Sequence, residues 1–475
     1  MVKRYFFSVQ KYNFFLILRI IKKCLFLQRI SNTAIMRILS SILLIFIMVA
    51  GGRALAQDTL RDYWGSGQLK SIGLARDSVK EGMWHFYHPD GRLMMEGRYQ
   101  SDRKVGQWKA WYENGKLSQE YYADNGRFRS WYASGVLESE GEMKDGLRHG
   151  QWKFYYPDGQ LYKECAYLND SLEGTVTEYY EGGQKSFEGD YKHGRLNSYA
   201  HWWQTNGELE MEGNSVDDLQ EGEWKFYHPN GRLGSKGDFR GGLQHGTWEY
   251  YYETGQRWKR GQFRNGMRTG LWTAWYEDGA KQREGTFAFD KEDGHWIQWY
   301  ENGVVKDEGD FKASQMCGLW EGYYPDGTKR YESGYNDNVR DGVYKYWNMN
   351  GKKRSAGFYS HGEKHGKWIE YADNGQKTEE GQFVNGEKNG MWIFYNEREV
   401  KIREQNFVNG VATGRFTEYY PTGKKQMEGS YADHARDGKW TYWDAKGKVM
   451  YSVLFQNGVK VKVLKELSSE FAKPF

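Results

Sequence analysis

His361 and His365 stand four residues apart in the run HGEKH, and paired histidines at such spacing are a common start to a zinc site. A metallopeptidase needs H-E-x-x-H on a helix, with the glutamate directly after the first histidine. Here Gly362 intervenes and the segment has turn character, so both histidines read as small polar groups at a turn. His149, His245 and His365 share one position of a 24-residue repeat but lie four and five repeats apart. At roughly 10 Å of advance per repeat they cannot meet at one ion, whose ligands lie within about 2 Å of it. Glutamate recurs at twelve equivalent positions, beginning with Glu96. Evenly spaced carboxylates make a solvated ladder, not the close pair that acid–base chemistry uses. No G-x-S-x-G elbow, P-loop or C-x-x-C pair occurs. No catalytic residue, metal or cofactor is expected, and a plain sheet ribbon offers no concave pocket.

The elements that carry these residues are set by the repeat. From Gly222 a glycine recurs every 24 residues to Gly438, and the same frame runs back through Ser198, Gly174, Gly150 and Gly126. A 20-residue unit starts at Gly106 and a full one at Gly82. Sixteen units result. Counting each from 1, position 3 is Trp in eleven: Trp84, Trp108, Trp152, Trp224, Trp248, Trp272, Trp296, Trp320, Trp368, Trp392 and Trp440. Position 6 is Tyr or Trp in all sixteen, with Tyr87, Tyr227, Tyr251, Trp275 and Trp299 among them. Position 10 is Gly in fifteen (Gly91, Gly231), position 15 is Glu in twelve, position 16 is Gly in eleven (Gly97) and position 18 is aromatic in thirteen. Such recurrence means that every unit solves the same packing problem.

Positions 2 to 7 are short and aromatic-rich, as in QWKFYY at 151–156, which favours a strand. Turn signals follow (YPDG, HPNG, YENG), then a second extended run and an Asn-Gly turn near positions 20 and 21. The glycine spacing denies a helix the ten free residues it needs. Each unit is therefore expected to be a β-hairpin. Five of the six prolines (Pro89, Pro157, Pro229, Pro325, Pro421) occupy position 8. Proline holds φ near −65°, which fits the second residue of a type I turn. The prolines favour a three-residue loop at positions 8 to 10, closed by a left-handed glycine, with position 6 opposite position 12. A charge exchange points elsewhere: Glu249 and Arg260 swap signs relative to Lys153 and Glu164, which pairs position 4 with position 15. Hairpins cannot bury an apolar face alone, so they must stack. The fold class expected is all-β: an elongated single-layer antiparallel sheet of about 16 stacked 24-residue hairpins.

The run EGQFVNGEKNG at 380–390, begun as EGTF at 284–287, resembles the MORN repeat (membrane occupation and recognition nexus). The form G-x-W-x-x-Y-Y-x-x-G is similar to the bacterial variant of that repeat. The resemblance spans roughly residues 63 to 460 and implies an elongated sheet of hairpins. The bacterial family is often labelled an antitoxin component of a toxin–antitoxin pair, and eukaryotic members are associated with lipid contact and protein scaffolding. No functional residue carries over, because the shared residues are the framework ones.

Residues 1–56 hold nine basic residues and no acid. From Met36, a basic start, an apolar run from Ile38 to Ala50 and the motif Ala54-Leu55-Ala56 read as a secretory signal peptide cleaved after Ala56. Residues 1–35 read as a mis-called upstream start or an extended n-region, 36–56 as the signal peptide, 57–81 as an N-terminal half-repeat cap, 82–461 as the array and 462–475 as a tail. The expected location is the periplasm, the outer-membrane surface or the exterior. Removing nine positive charges takes the net charge from +4 to −5. A mildly acidic ribbon is a poor ligand for phosphate backbones, so no nucleic-acid partner is expected; it also lacks a lysine-rich run for anionic lipid. Cys165 and Cys317 lie in units six apart and read as free thiols.

Positions 3 and 6 have opposite parity, so their rings should point to opposite faces. The expected use of the Trp ladder is packing over glycine backbone of a neighbouring strand, such as Gly97 or Gly237. Framework residues repeat because they fold, whereas ligand residues need not. Phe128, Val176 and Ala200 replace Trp in a stretch that follows the short unit. The candidate partner surface is therefore 126–221, with Phe128, Trp131, Tyr179, Tyr180, Trp202 and Trp203. The function expected is an exported, non-catalytic scaffold binding an unidentified protein in the cell envelope. The alternatives are an envelope glycan-binding module, an antitoxin or immunity protein neutralising a toxin, and lipid contact.

Overall fold

The computed structural model describes residues 58–466. The signal-peptide reading, with Ala54 and Ala56, and the last nine residues of the expected tail lie outside them. Among the described residues there are 37 strands and no helix. The described residues divide into two compact units, 58–135 and 136–466. The first holds seven strands from Asp58–Tyr63 to Asn125–Trp131, and the second holds thirty from Leu137–Lys144 to Val459–Glu466. Within each unit the strands pair antiparallel with their neighbours in sequence, which makes a single-layer sheet of hairpins. Residues 462–466 lie in the last strand, Val459–Glu466. The half-repeat region contributes the strands Asp58–Tyr63 and Leu69–Arg76.

The repeat at Gly222 shows the local logic. The strand Leu219–Tyr227 leads into a loop where Gly231 N donates to His228 O at 2.9 Å and His228 N donates to Arg232 O at 2.8 Å. Pro229 is the second turn residue, and Gly231 has φ +77°. This is the type I turn with a left-handed closing residue that the prolines indicated. The strand Leu233–Arg240 returns. Lys225 faces Lys236 and Phe226 faces Ser235, but Tyr227 faces Leu233, so Gly234 is left over. Both register signs in the sequence are therefore right. Position 4 opposes 15 and position 6 opposes 12, because position 13 is the extra residue of a β-bulge.

A second bulge explains the recurrent Gly-x-Trp. Gly213 faces Trp224, the next pair is Asn214 with Glu221, and Gly222 and Glu223 are left over. Gly222 has φ +72°, and Gly246 and Gly270 have +68° and +64°; an L side chain in that region costs about 1–2 kcal/mol. The bulge brings the Trp224 ring across the preceding strand, where Nε1 donates to Asn214 O at 2.9 Å. The same bond recurs from Trp84, Trp272 and Trp440 to the residue ten places earlier.

The ring lies directly on position 16 of the preceding unit. A Cβ added at Gly97 would sit 2.1 Å from Trp108 Cδ2, and one at Gly237 would sit 2.4 Å from Trp248 Cδ2. All eleven position-3 tryptophans follow a glycine there. Where Trp is missing, Phe128, Val176, Tyr344 and Phe416 follow Tyr121, Cys165, Ser333 and Gln405. Ala200 still follows Gly189, and there the buried Leu196 fills the space, with Cδ1 2.8 Å from where a Cβ would stand. The two positions thus vary together inside one chain.

This packing builds a core within one layer. All eleven tryptophans are at most 7% exposed. Position-18 rings stand edge-on between successive tryptophans: Phe263 lies 6.0 Å from Trp248 and 5.2 Å from Trp272, at 80° and 89°. In several units position 23 covers them with a cation, as Lys388 Nζ does 3.9 Å from the Trp392 ring and Lys364 Nζ does 4.1 Å from Trp368. The aliphatic stems of those lysines complete the burial. Each buried ring contributes about 5 kcal/mol of transfer free energy before conformational entropy is subtracted.

Candidate binding surface

The opposite face carries position 6. Its rings are half-buried in every unit, as the parity of the strand requires. Several of the tyrosine hydroxyls donate to the position-15 glutamate of the preceding unit: Tyr227 to Glu212 at 2.7 Å, Tyr419 to Glu404 at 2.9 Å and Tyr395 to Glu380 at 2.5 Å. Position-12 lysines reach the same carboxylates, as Lys401 does to Glu404 at 2.6 Å. The glutamate ladder is thus a cross-strand lattice of ion pairs and phenols. The Tyr395 hydrogen bond holds the Glu380 carboxyl below its ordinary range, although burial opposes it. Burial and the bond to Glu380 push the Tyr395 phenol up to about 12.

The loop edge is laced by position 7. Tyr156, Tyr180, Tyr252, Tyr276 and Tyr300 each donate to the backbone carbonyl 23 residues ahead, at 2.7–3.0 Å. His88 and His228 make the equivalent contact through Nε2. Position 13, the bulge residue, covers this row. Tyr162 packs on Tyr156 with centroids 5.1 Å apart, Trp258 packs on Tyr252 at 6.0 Å, and Lys306 Nζ lies 5.8 Å from the Tyr300 ring.

Several units depart from these habits, the one with Ala372 and Thr378 among them, and beside one of these a groove opens. In the repeat at Ser198, position 7 is Gln204 and position 13 is Glu210. An open groove of about 360 Å³ results, lined by Tyr180, Gln204, Thr205, Glu210, Tyr227 and Pro229. Its walls are fixed: Tyr180 donates to Trp203 O at 2.7 Å, and Tyr227 donates to Glu212.

Of the six residues named from sequence, Tyr180 alone lines this groove. Phe128 and Trp131 belong to the first unit, in the strand Asn125–Trp131. Phe128 packs on Tyr121 at 6.2 Å, and the Trp131 carbonyl accepts from Tyr112. Tyr179 donates to Glu164 at 3.4 Å. Trp202 lies on the tryptophan face between Phe187 and Trp224, at 5.1 and 5.4 Å. Trp203 lies on the other face, stacked on His201 at 5.6 Å. Position 7 enters the sequence pattern as the second tyrosine of G-x-W-x-x-Y-Y-x-x-G and is tyrosine or histidine in eleven of sixteen units, whereas position 13 carries no such signal.

The strand that carries position 3 is also interrupted here. It breaks into Ser171–Leu172 and Gly174–Tyr179, and into Arg195–Leu196 and Tyr199–Trp203. Ser198 replaces the bulge glycine, and its hydroxyl accepts from Asp190 N at 2.7 Å. His361 sits in a turn with φ +50° and meets the Ser360 hydroxyl at 3.1 Å. His149 and His245 each bury an Nδ1 that has no hydrogen-bond partner. Cys165 and Cys317 are free thiols, and burial pushes the Cys165 thiol up.

The hairpin with its glycine, tryptophan and paired tyrosines is the pattern of a known family. The MORN repeat variant model matches eleven segments: residues 104–125, 124–145, 148–169, 172–193, 220–239, 244–265, 292–313, 316–337, 364–385, 412–433 and 436–457. Together they cover half of the chain. The chain belongs to the MORN repeat variant family. No curated protein matches this MORN chain in sequence. Among solved structures it is similar to a crystal structure of TcdB2-TccC3, at 11% identity over 86% of this chain and 24% of that one, with a TM-score of 0.14. It is similar also to the Tc holotoxin pore of Photorhabdus luminescens carrying the mutation TccC3-D651A, at 10% identity over 85% and 23%, with a TM-score of 0.14. The MORN chain spans about a quarter of those structures, and nothing about its function passes from them.

Proposed function

We propose that this MORN protein is an exported, non-catalytic scaffold that binds a protein partner in the cell envelope. One observation carries the choice of partner class. The eleven position-3 tryptophans, the rings best suited to stack on sugars, are at most 7% exposed and are consumed by the Gly–Trp packing. The position-6 rings are held beneath lysine stems and glutamates, as Trp299 is by Lys281 Nζ 5.4 Å from its centroid. Among the described residues the surface offers charge, scattered exposed rings such as Trp258 and Phe358, and the groove beside Glu210, which suit recognition of a polypeptide. Export rests on the basic start, apolar run and A-x-A motif of residues 36–56. Cosedimentation of residues 57–475 with isolated, protein-free envelope polysaccharide tests the choice. The scaffold reading expects the protein to stay in solution. Saturable pelleting that tracks polysaccharide concentration would replace it with glycan binding.

A further inference from the structure

The groove lies in the most acidic part of the chain. Residues 173–223 contain twelve acidic side chains against Lys185, Lys192 and Arg195, a net charge of −9, whereas the whole chain from residue 57 carries −5. Charge alone would be a solvated face. What singles out this place is the open groove beside Glu210. Lys70 Nζ lies 5.3 Å from the Trp64 ring, and Lys306 Nζ lies 5.8 Å from the Tyr300 ring. In both, position 13 sets its own ammonium over the position-7 ring. In the repeat at Ser198 the covering residue is Glu210, of opposite charge, and Gln204 has replaced the ring. The slot stays open between Tyr180 on one side and Tyr227 with Pro229 on the other. Two rings and a carboxylate around an empty space are the surroundings that a desolvated cation prefers. Because both phenols are already hydrogen-bonded, little ordering is needed when the slot is occupied.

We propose that this groove takes a lysine or arginine side chain from a basic segment of the partner polypeptide, so the partner's cation stands beside Glu210 between Tyr180 and Tyr227. The proposal rests on the scaffold reading and names the chemistry of its partner.

The test is a fluorescence-anisotropy titration of residues 57–475 with fluorescein-labelled tetralysine at low salt. Glu210→Lys supplies the cation internally. Gln204→Tyr restores the ring used at position 7 elsewhere and closes the slot without changing charge. Glu397→Lys makes the same charge change on a distant exposed acid. Glu210→Lys and Gln204→Tyr are each expected to raise Kd about tenfold or more, and Glu397→Lys to change it less than about twofold. Wild-type affinity in Gln204→Tyr, equal weakening in all three variants, or no binding by the wild type would overturn the proposal. Capture of one envelope protein equally by wild type and Gln204→Tyr would remove the groove and leave the scaffold. Tetralysine held in the groove with no protein captured would do the reverse.

Discussion

Gly285→Ala should destabilise the sheet through one contact, and Trp296→Val should abolish that cost. Gly285 has no left-handed φ, so alanine is free of backbone strain there. Its Cβ would stand 2.0 Å from Trp296 Cδ2 and 2.4 Å from Cε2. Carbon atoms need about 3.5 Å, so the ring must retreat by about 1.5 Å. That displacement removes the 3.1 Å bond from Trp296 Nε1 to Thr286 O and opens the 5.1 Å edge contact with Phe287. Overpacking costs about 1–3 kcal/mol and the lost hydrogen bond about 1; the lower chain entropy of alanine returns about 0.4–1. The net expected loss is about 2 kcal/mol. Trp296→Val alone should lose about 3 kcal/mol. With valine in place, adding alanine should cost less than about 0.5 kcal/mol, because Cys165 beside Val176, both 1% exposed, shows the pair fitting within this chain. The coupling is then about 2 kcal/mol. Repeat arrays open locally, so the readout is native-state hydrogen exchange at the amides of Lys281–Ala288 and Lys291–Trp299. Additive losses, or a Gly285→Ala protein as protected as the wild type, would refute the reasoning.

Further outcomes follow from the other contacts. Tyr276→Phe removes the 2.8 Å bond to Trp299 O and should lower local stability by about 1 kcal/mol, seen as faster exchange along that loop edge and not at the two-residue turns. Lys388→Met keeps the stem over Trp392 but removes the ammonium 3.9 Å from its ring; it should cost about 0.5–1 kcal/mol and shift the urea midpoint, with Lys388→Ala costing more. Stability should fall at both pH extremes. Glu380 is lowered by the Tyr395 hydrogen bond, so its contribution is complete above the unfolded value near 4.3 and is lost as pH falls through the folded value. Tyr395 is raised to about 12, so its contribution is complete below about pH 10 and is lost between about 10 and 12. Urea midpoints measured from pH 2.5 to 12 check both limbs; a midpoint unchanged below pH 4 and above pH 10 would contradict the Tyr–Glu lattice.

The period, the turn chemistry and the two-faced parity were legible because each leaves a residue type at a fixed place: proline at position 8, glycine at 10, aromatics at 3 and 6. The register was legible only in pieces. Pro229 and the Glu249–Arg260 exchange each indicated a true pairing, and they disagreed because a bulge at position 13 adds one residue between them. Nothing in the identity of Gly234 or Glu210 announces that bulge, since the extra residue is set by backbone twist and takes any side chain. The role of Gly222 was hidden for a related reason. Its positive φ matters only because the Trp224 indole needs the carbonyl of Asn214 on the neighbouring strand. The lost tryptophans, Val176 and Ala200 among their replacements, mark the stretch 126–221 in which the groove lies. Those replacements act on the tryptophan face, where Leu196 and Cys165 compensate. The groove opens at the loop edge, through Gln204 at position 7, where the pattern places tyrosine, and Glu210 at position 13, which the pattern does not mark.

The most direct measurement is affinity capture of residues 57–475 from the envelope fraction, read by mass spectrometry, with Gln204→Tyr run in parallel. The expected result is one dominant protein with an exposed basic segment, retained by the wild type and depleted about tenfold or more by Gln204→Tyr. No protein enriched over a bare matrix, with polysaccharide retained instead, would contradict the scaffold reading.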